Sequence, residues 1–175
     1  MGDPATNLKD TWFRCTSRKR EPLSTRGALL AGGRYNAKGV AALYLASSPN
    51  LAVSEHLGLG ALYGVTRFPP RLLVSIDVDL TRVLDLTAED VLAQVRVKRD
   101  DLVGPYSDDP SHPSITQLIA QLARAQGFEA IMAPSAVEPG QENLVIFPEN
   151  LSSPESVRVV GFDDHLSEER QGTDS

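Results

Sequence analysis

A single cysteine, Cys15, stands in a chain of 175 residues. An internal disulfide and a cysteine-rich zinc site are therefore both excluded. Histidine is almost as scarce: His56, His112 and His165 share no metal-ligand spacing, and no metal site is expected. No apolar run reaches the ~20 residues of a membrane span, and the stretch Met1 to Asp10 has no apolar centre of the signal-peptide kind. A cytoplasmic protein without membrane contact is the expectation. Positive charge is also in short supply, because 17 Lys and Arg face 23 Asp and Glu for a net charge of −6. A non-specific nucleic-acid binder is usually basic, so no direct nucleic-acid contact is expected. Two catalytic signatures are missing as well. Ser135 lies in no Gly-x-Ser-x-Gly elbow, and Gly58-Leu59-Gly60 lacks the Lys-Ser ending of a phosphate loop.

The basic residues that are present crowd the start of the chain: Arg14, Arg18, Lys19, Arg20, Arg26 and Arg34. A solvated basic face explains this clustering, and so does a pocket for a phosphorylated small molecule. The length suits one domain with a substantial core. Residues 1–10 and 162–175 are small, polar or acidic and read as flexible tails around a domain at 11–161.

Within that domain strands and helices are mixed. Thr11 to Cys15, Leu43 to Ala46, Leu72 to Val78, Ala130 to Ala133, Leu144 to Phe147 and Val157 to Val160 have the apolar content of short strands. Ser48-Pro49 pairs an N-cap with proline at the first helical position, and that helix is expected to stop at Gly58. Thr87, with Asp90 three residues on, can cap another. Ser114 to Gln126 carries Ile115, Leu118, Ile119 and Leu122 at helical spacing, with Gly127 as terminator. The order lacks a regular β-α-β alternation, so the expected class is α+β: a bent, mostly antiparallel sheet with surrounding helices. The loops Pro105–Pro113 and Pro134–Gln141 are long enough to frame a site.

Polar residues inside or beside apolar segments are the candidates for chemistry. Two glycines precede Arg34, which lets the backbone approach a ligand while the guanidinium forks onto phosphate or carboxylate. A surface arginine after a glycine turn is the ordinary alternative. Tyr44 interrupts an apolar strand and can present a ring to a heterocycle, or simply fill a core. Glu55 sits in the second turn of the helix after Ser48. There it can bond sugar hydroxyls and stabilise an oxocarbenium-like transition state, or be an exposed helix glutamate. Ser135 follows Pro134 at a strand end, where hydrogen bonding suits it better than nucleophilic attack. Arg14 and Asn143 flank apolar strands in the same manner.

Together these residues resemble the RES-domain family, named for its arginine, glutamate and serine. The resemblance runs from Trp12-Phe13-Arg14 to about Leu151. It is carried by Gly32-Gly33-Arg34-Tyr35-Asn36 with Gly39, by Tyr44-Leu45-Ala46-Ser47, by Ala52-Val53-Ser54-Glu55, by Pro134-Ser135-Ala136 and by Asn143-Leu144-Val145-Ile146. Tyr35 replaces the family's usual tryptophan, and Phe147-Pro148-Glu149-Asn150 departs from its usual C-terminal pattern. The resemblance implies an ADP-ribosyltransferase-like fold and a toxin of a toxin–antitoxin pair that cleaves the nicotinamide–ribose bond of NAD. NAD is then substrate, and no cofactor is implied. Arg34, Tyr44, Glu55 and Ser135 would be catalytic, with Arg14, Arg34, Tyr35 and Asn143 binding substrate. The implied partner is an antitoxin with an Xre-like helical domain that covers the site. A homodimer and a toxin–antitoxin hetero-oligomer both stay open. Transfer of ADP-ribose to a protein is the alternative activity, and a non-catalytic NAD-binding regulator the alternative class. A ribonuclease is disfavoured by the acidic charge and the lack of paired histidines.

Overall fold

Two long strands frame the molecule. β1 (Ala5–Ser17) and β3 (Arg71–Asp85) run antiparallel and pair along almost their whole length, from Ala5 opposite Leu84 to Ser17 opposite Arg71. The computed structural model describes residues 2–62 and 70–163. β2 (Leu43–Ala46), β4 (Ala130–Pro134), β5 (Glu142–Ile146) and β6 (Val157–Asp163) complete the sheet. Its order is β1-β2-β5-β4-β3-β6, with an additional β1–β3 pairing. All ladders are antiparallel except β3 with β4.

The β1–β3 pairing corrects the expected bent sheet. Five strands close into a small barrel, and β6 is added along the outside edge of β3. A strand of 15 residues is long enough to pair with β6 over Leu73–Val78 and then with β4 over Val83–Asp85, while β1 occupies its other edge. Closure removes the exposed edges that an open sheet would leave. The α+β class itself holds.

The N-terminal tail needs correction too. Residues 5–10 are strand, although mostly exposed. Their order comes from main-chain pairing with β3, not from burial, so an apolarity criterion misses them. Phe162 and Asp163 likewise belong to β6, and residues 164–175, including His165, lie outside the described residues.

Alternate strand residues divide the core. Trp12, Leu43, Leu45, Ile76, Leu144 and Ile146 belong to the cluster inside the barrel. The outward residues Ile131, Ala133 and Val145 pack under α3 (Glu89–Val95), α4 (Arg99–Val103) and α5 (Ile115–Ala125). A third cluster joins Ala46, Phe13, Cys15 and Leu73 to Leu51 and Ala52 of α2 (Pro49–Leu62). Serine capping holds for α2: Ser48 Oγ accepts from Leu51 N at 3.1 Å. The stop at Gly58 does not, because the helix continues to Leu62. Gly58 lacks the left-handed backbone that Gly127 (φ 79°) uses to end α5, and a helical glycine costs only about 1 kcal/mol. Thr87 caps nothing; it bonds Asp85 in a local turn, and Ala88 precedes α3. α1 (Arg26–Ala31) and α4 had no clear periodic signal.

The face of α5 is another correction. Thr116, Ile119, Ala120 and Ala123 are buried, while Ile115, Leu118 and Leu122 are 43%, 40% and 62% exposed. Small residues let the helix axis approach β4 closely, and only one of the four large apolar side chains faces the sheet. Asn150 is structural: its Nδ2 donates to Arg124 O and Phe128 O, fastening the end of α5. Among the described residues no helix is long and apolar enough to cross a membrane.

Candidate active site

α2 packs on β1, β2 and β3 and bonds across to Asn143 of β5 and to the loop after β4, and most of the polar candidates gather there. The turn that carries Arg34 is built first. Gly32 takes φ 71°, and Gly33 and Asn36 bridge to each other. A Cβ on Gly33 would come within 2.8 Å of both the Tyr44 hydroxyl and Asn36 Oδ1. That close approach, more than backbone freedom, requires glycine there. The Tyr44 hydroxyl accepts from Tyr35 N at 2.9 Å and donates to Asn36 Oδ1 at 2.7 Å. Asn36 Nδ2 in turn donates to Ala28 O and Val40 O. Burial pushes the Tyr44 phenol well above its ordinary range, so it stays protonated. Its hydroxyl braces the Arg34 turn.

Arg34 is held from the opposite side by the α4–α5 region. Its Nη1 donates to Leu102 O and Gly104 O, at 3.2 and 2.5 Å, and its guanidinium lies 5.0 Å from the Tyr106 ring centroid. Gln117 Nε2 donates to Gly33 O and Ser107 O, tying α5 to both the turn and the loop. A small cleft between Gly32–Lys38 and Tyr106–Pro113 has Gln117 in its wall; neither Glu55 nor Ser135 lines it.

Glu55 faces this assembly from α2 and is partly buried. Burial pushes its carboxyl up to about 7. A hydrogen bond from the Asn143 side chain pulls the other way, the Glu138 carboxylate adds to the rise, and Arg34 opposes it. Asn143 stands on β5 opposite Ala46 and Ala133, and its Nδ2 also donates to Leu45 O at 3.3 Å. Ser135 leaves β4 and is 6% exposed. Its Oγ accepts from Val137 N at 3.0 Å and Glu138 N at 3.1 Å. Both acceptor positions are thus filled by backbone amides, which leaves the hydroxyl hydrogen to donate.

The structure therefore brings Arg34, Tyr44, Glu55, Ser135 and Asn143 into one neighbourhood. Two candidates lie apart. Tyr35 is 2% exposed within the core under α3–α5, and its hydroxyl has no hydrogen-bond partner among the described residues. Arg14 donates through Nη1 to Pro22 O and through Nη2 to Ser24 O, closing the loop after β1. Burial, then the charge of Arg20, lowers it to about 10, which still leaves it cationic at neutral pH. Its influence reaches His56 on α2, which burial, Arg71 and Arg14 together hold near 4 and hence neutral. Sequence reasoning missed Glu138, Tyr106, Asn36 and Gln117 as members of this assembly. Only Asn36 had a motif to mark it.

The model of the RES domain family matches residues 11–168, a span that holds Arg34, Glu55 and Ser135. The chain belongs to the RES domain family. It is 33% identical over 132 residues to the Prs ADP-ribosylating toxin of Sphingobium sp., covering 73% of each protein. It is 30% identical over 156 residues to a probable NAD(+) phosphorylase of Mycobacterium tuberculosis, across 89% of this chain and 72% of that protein. Its fold is similar to a chain in the crystal structure of the M. tuberculosis MbcT–MbcA toxin–antitoxin complex. The TM-score is 0.75 at 27% sequence identity, covering 97% of this chain and 92% of that one.

Proposed function

We propose that this RES domain is the toxin of a toxin–antitoxin pair and depletes cytoplasmic NAD by cleaving its nicotinamide–ribose bond. The observation that carries the proposal is Glu55. A carboxylate kept partly buried beside Asn143 and facing Arg34 is poised for positive charge, and the bond in question develops such charge. The names of the relatives support the choice of NAD, since one is called a NAD(+) phosphorylase and another an ADP-ribosylating toxin.

In this mechanism Arg34 holds the pyrophosphate, and Arg14 adds positive charge from the β1 end while its Nη1 and Nη2 stay on Pro22 O and Ser24 O. The Ser135 hydroxyl hydrogen bonds the nicotinamide amide or the adjacent ribose, and Asn143 helps to orient the same sugar. The Tyr44 ring sides the nicotinamide while its hydroxyl keeps the Arg34 turn in shape, and Tyr35 supports that turn from the core. Nicotinamide already carries a positive charge in NAD, so it departs as a neutral base and takes no proton. As the C–N bond breaks, positive charge moves onto the ribose, where ionised Glu55 stabilises it and bonds the ribose hydroxyls. Water or inorganic phosphate then adds to the anomeric carbon. Transfer to a protein side chain, the second reading, rests on the ADP-ribosylating relative.

A kinship with ADP-ribosyltransferase folds goes with this proposal. So does an antitoxin partner that covers the site, with an Xre-like helical domain, in a hetero-oligomer or around a toxin homodimer. The neighbouring fold in a toxin–antitoxin complex supports such a partner. The test is incubation of purified protein with NAD, with and without phosphate, and product analysis by mass spectrometry. Loss of nicotinamide with a new hydroxyl or phosphate on the anomeric carbon is expected. Intact NAD in every buffer, with Glu55→Ala as growth-inhibiting as the parent protein, sinks the proposal.

A further inference from the structure

We propose that Glu138 is a positioning residue: it fastens the Ser135 loop to helix α2 and sets a second negative charge beside Glu55. Its carboxylate is held at both oxygens. Oε1 accepts from Ser54 Oγ at 3.0 Å, and Ser54 immediately precedes Glu55 on α2. Oε2 accepts from Gln141 Nε2 at 2.6 Å. Gln141 closes the same loop, since its backbone oxygen accepts from Ser135 N at 2.8 Å, and its Oε1 accepts from Ser48 Oγ at the N-cap of α2. Glu138 N completes the circuit by donating to Ser135 Oγ at 3.1 Å.

One carboxylate thus links the two segments that carry Ser135 and Glu55. The loop 135–141 has little apolar anchorage of its own, with Val137 51% exposed. Without the link, the bond between Gln141 Oε1 and Ser48 Oγ remains as a tie between this loop and α2, at the helix N-cap and about two turns away from Glu55. The linkage also has an electrostatic consequence. The groups that act on Glu55 are Asn143 from β5, Arg34 from the turn after α1, and Glu138 from this loop. Asn143 and Arg34 favour the ionised carboxylate; Glu138 alone among them favours the proton. Glu138 therefore holds Glu55 closer to its protonated form until a cationic ligand enters, and such a ligand draws the proton off.

Two substitutions separate the two effects. Glu138→Gln removes the charge and keeps an oxygen for Ser54, whereas Glu138→Ala removes the link. Hydrogen exchange should show the Val137 and residue-138 amides exchanging ~10-fold or more faster in Glu138→Ala, and Ser54→Ala should reproduce part of the loosening. Carbon-13 NMR titration of the Glu55 carboxyl should fall by roughly half a pH unit or more in Glu138→Gln. Turnover readouts rest on the functional proposal above. With NAD, the acid limb of kcat/KM should move down by a similar interval in Glu138→Gln. In Glu138→Ala, kcat should drop ~10-fold with KM within about twofold. Unchanged exchange in Glu138→Ala overturns the anchoring, and an unmoved Glu55 titration in Glu138→Gln overturns the charge coupling. If the parent protein leaves NAD intact, the functional proposal falls, while exchange and titration still decide the role of Glu138.

Discussion

Two glutamates of this protein are taken from water and end in opposite states. Glu129, 1% exposed, sits where β3, β4 and the segment before β6 converge. Its Oε2 accepts from Thr81 N, Thr81 Oγ1 and Arg82 N, and its Oε1 from Ser152 N and Ser152 Oγ. Burial alone raises such a group, yet the hydrogen bonds outweigh it and leave Glu129 below the ordinary carboxylate value. Glu55, more exposed, has Asn143 as hydrogen-bond partner and a like charge nearby, and rises to about 7. Burial raises both carboxylates, and the number of donors turned toward each decides whether that rise survives. A fully bonded carboxylate stitches a fold together, and an under-bonded one is left closer to its protonated form.

The largest effect expected from breaking this contrast is on turnover. Glu55→Gln keeps the shape but removes the charge, and NAD cleavage should fall about 100- to 1,000-fold, about 3–4 kcal/mol of transition-state stabilisation. Folding should not weaken, because the substitution removes a desolvated acid. Turnover within tenfold of the parent would show that the charge is not needed.

The second prediction concerns stability. Glu129→Ala leaves three backbone amides and two hydroxyls without their acceptor, and should cost roughly 3 kcal/mol or more in urea unfolding. pH separates the two acids by sign. Glu129, lowered when folded, contributes stability that is present above its ordinary value of 4.5 and is lost as pH falls through its folded value. Glu55, raised when folded, contributes most below 4.5, and that contribution is lost as pH rises from there through about 7. Urea midpoints measured from pH 4 to 8 should therefore shift in opposite directions relative to the parent in Glu129→Gln and Glu55→Gln. Parallel curves would break the comparison.

The smallest effect is expected at Tyr35. Its buried hydroxyl lacks a partner among the described residues, so Tyr35→Phe should be neutral or stabilising by up to about 1 kcal/mol in thermal unfolding. A loss of more than that would place an acceptor on this hydroxyl and bring Tyr35 into the site.

What was legible in the sequence followed the range of the forces involved. Leu43–Ala46 reads as a strand and Ser48 as an N-cap because four adjacent residues or one side chain decide those features. The stretch from Ser114 to Gln126 reads as a capped helix for the same reason, yet its buried face does not. Ala120 and Ala123 are chosen by the distance to β4, which no periodicity contains. The strand at residues 5–10 was invisible because its pairing energy comes from β3, some seventy residues away.

The candidate site divides along the same line. Sequence by itself determined which residue types were available: Arg34 behind its glycines, Glu55 on a capped helix, Ser135 at a strand end, with no thiol pair or histidine cluster to support other chemistry. Only the tertiary structure decided what each does. It turned the Tyr44 hydroxyl inward to brace the Arg34 turn and drew Arg14 into the loop after β1. It also set Glu138 against Ser54, where a loop acid with no motif comes to bear on Glu55. The physical reason is that a carboxylate's proton affinity is fixed by burial and by donors and charges from distant parts of the chain. Those meet only when the barrel closes.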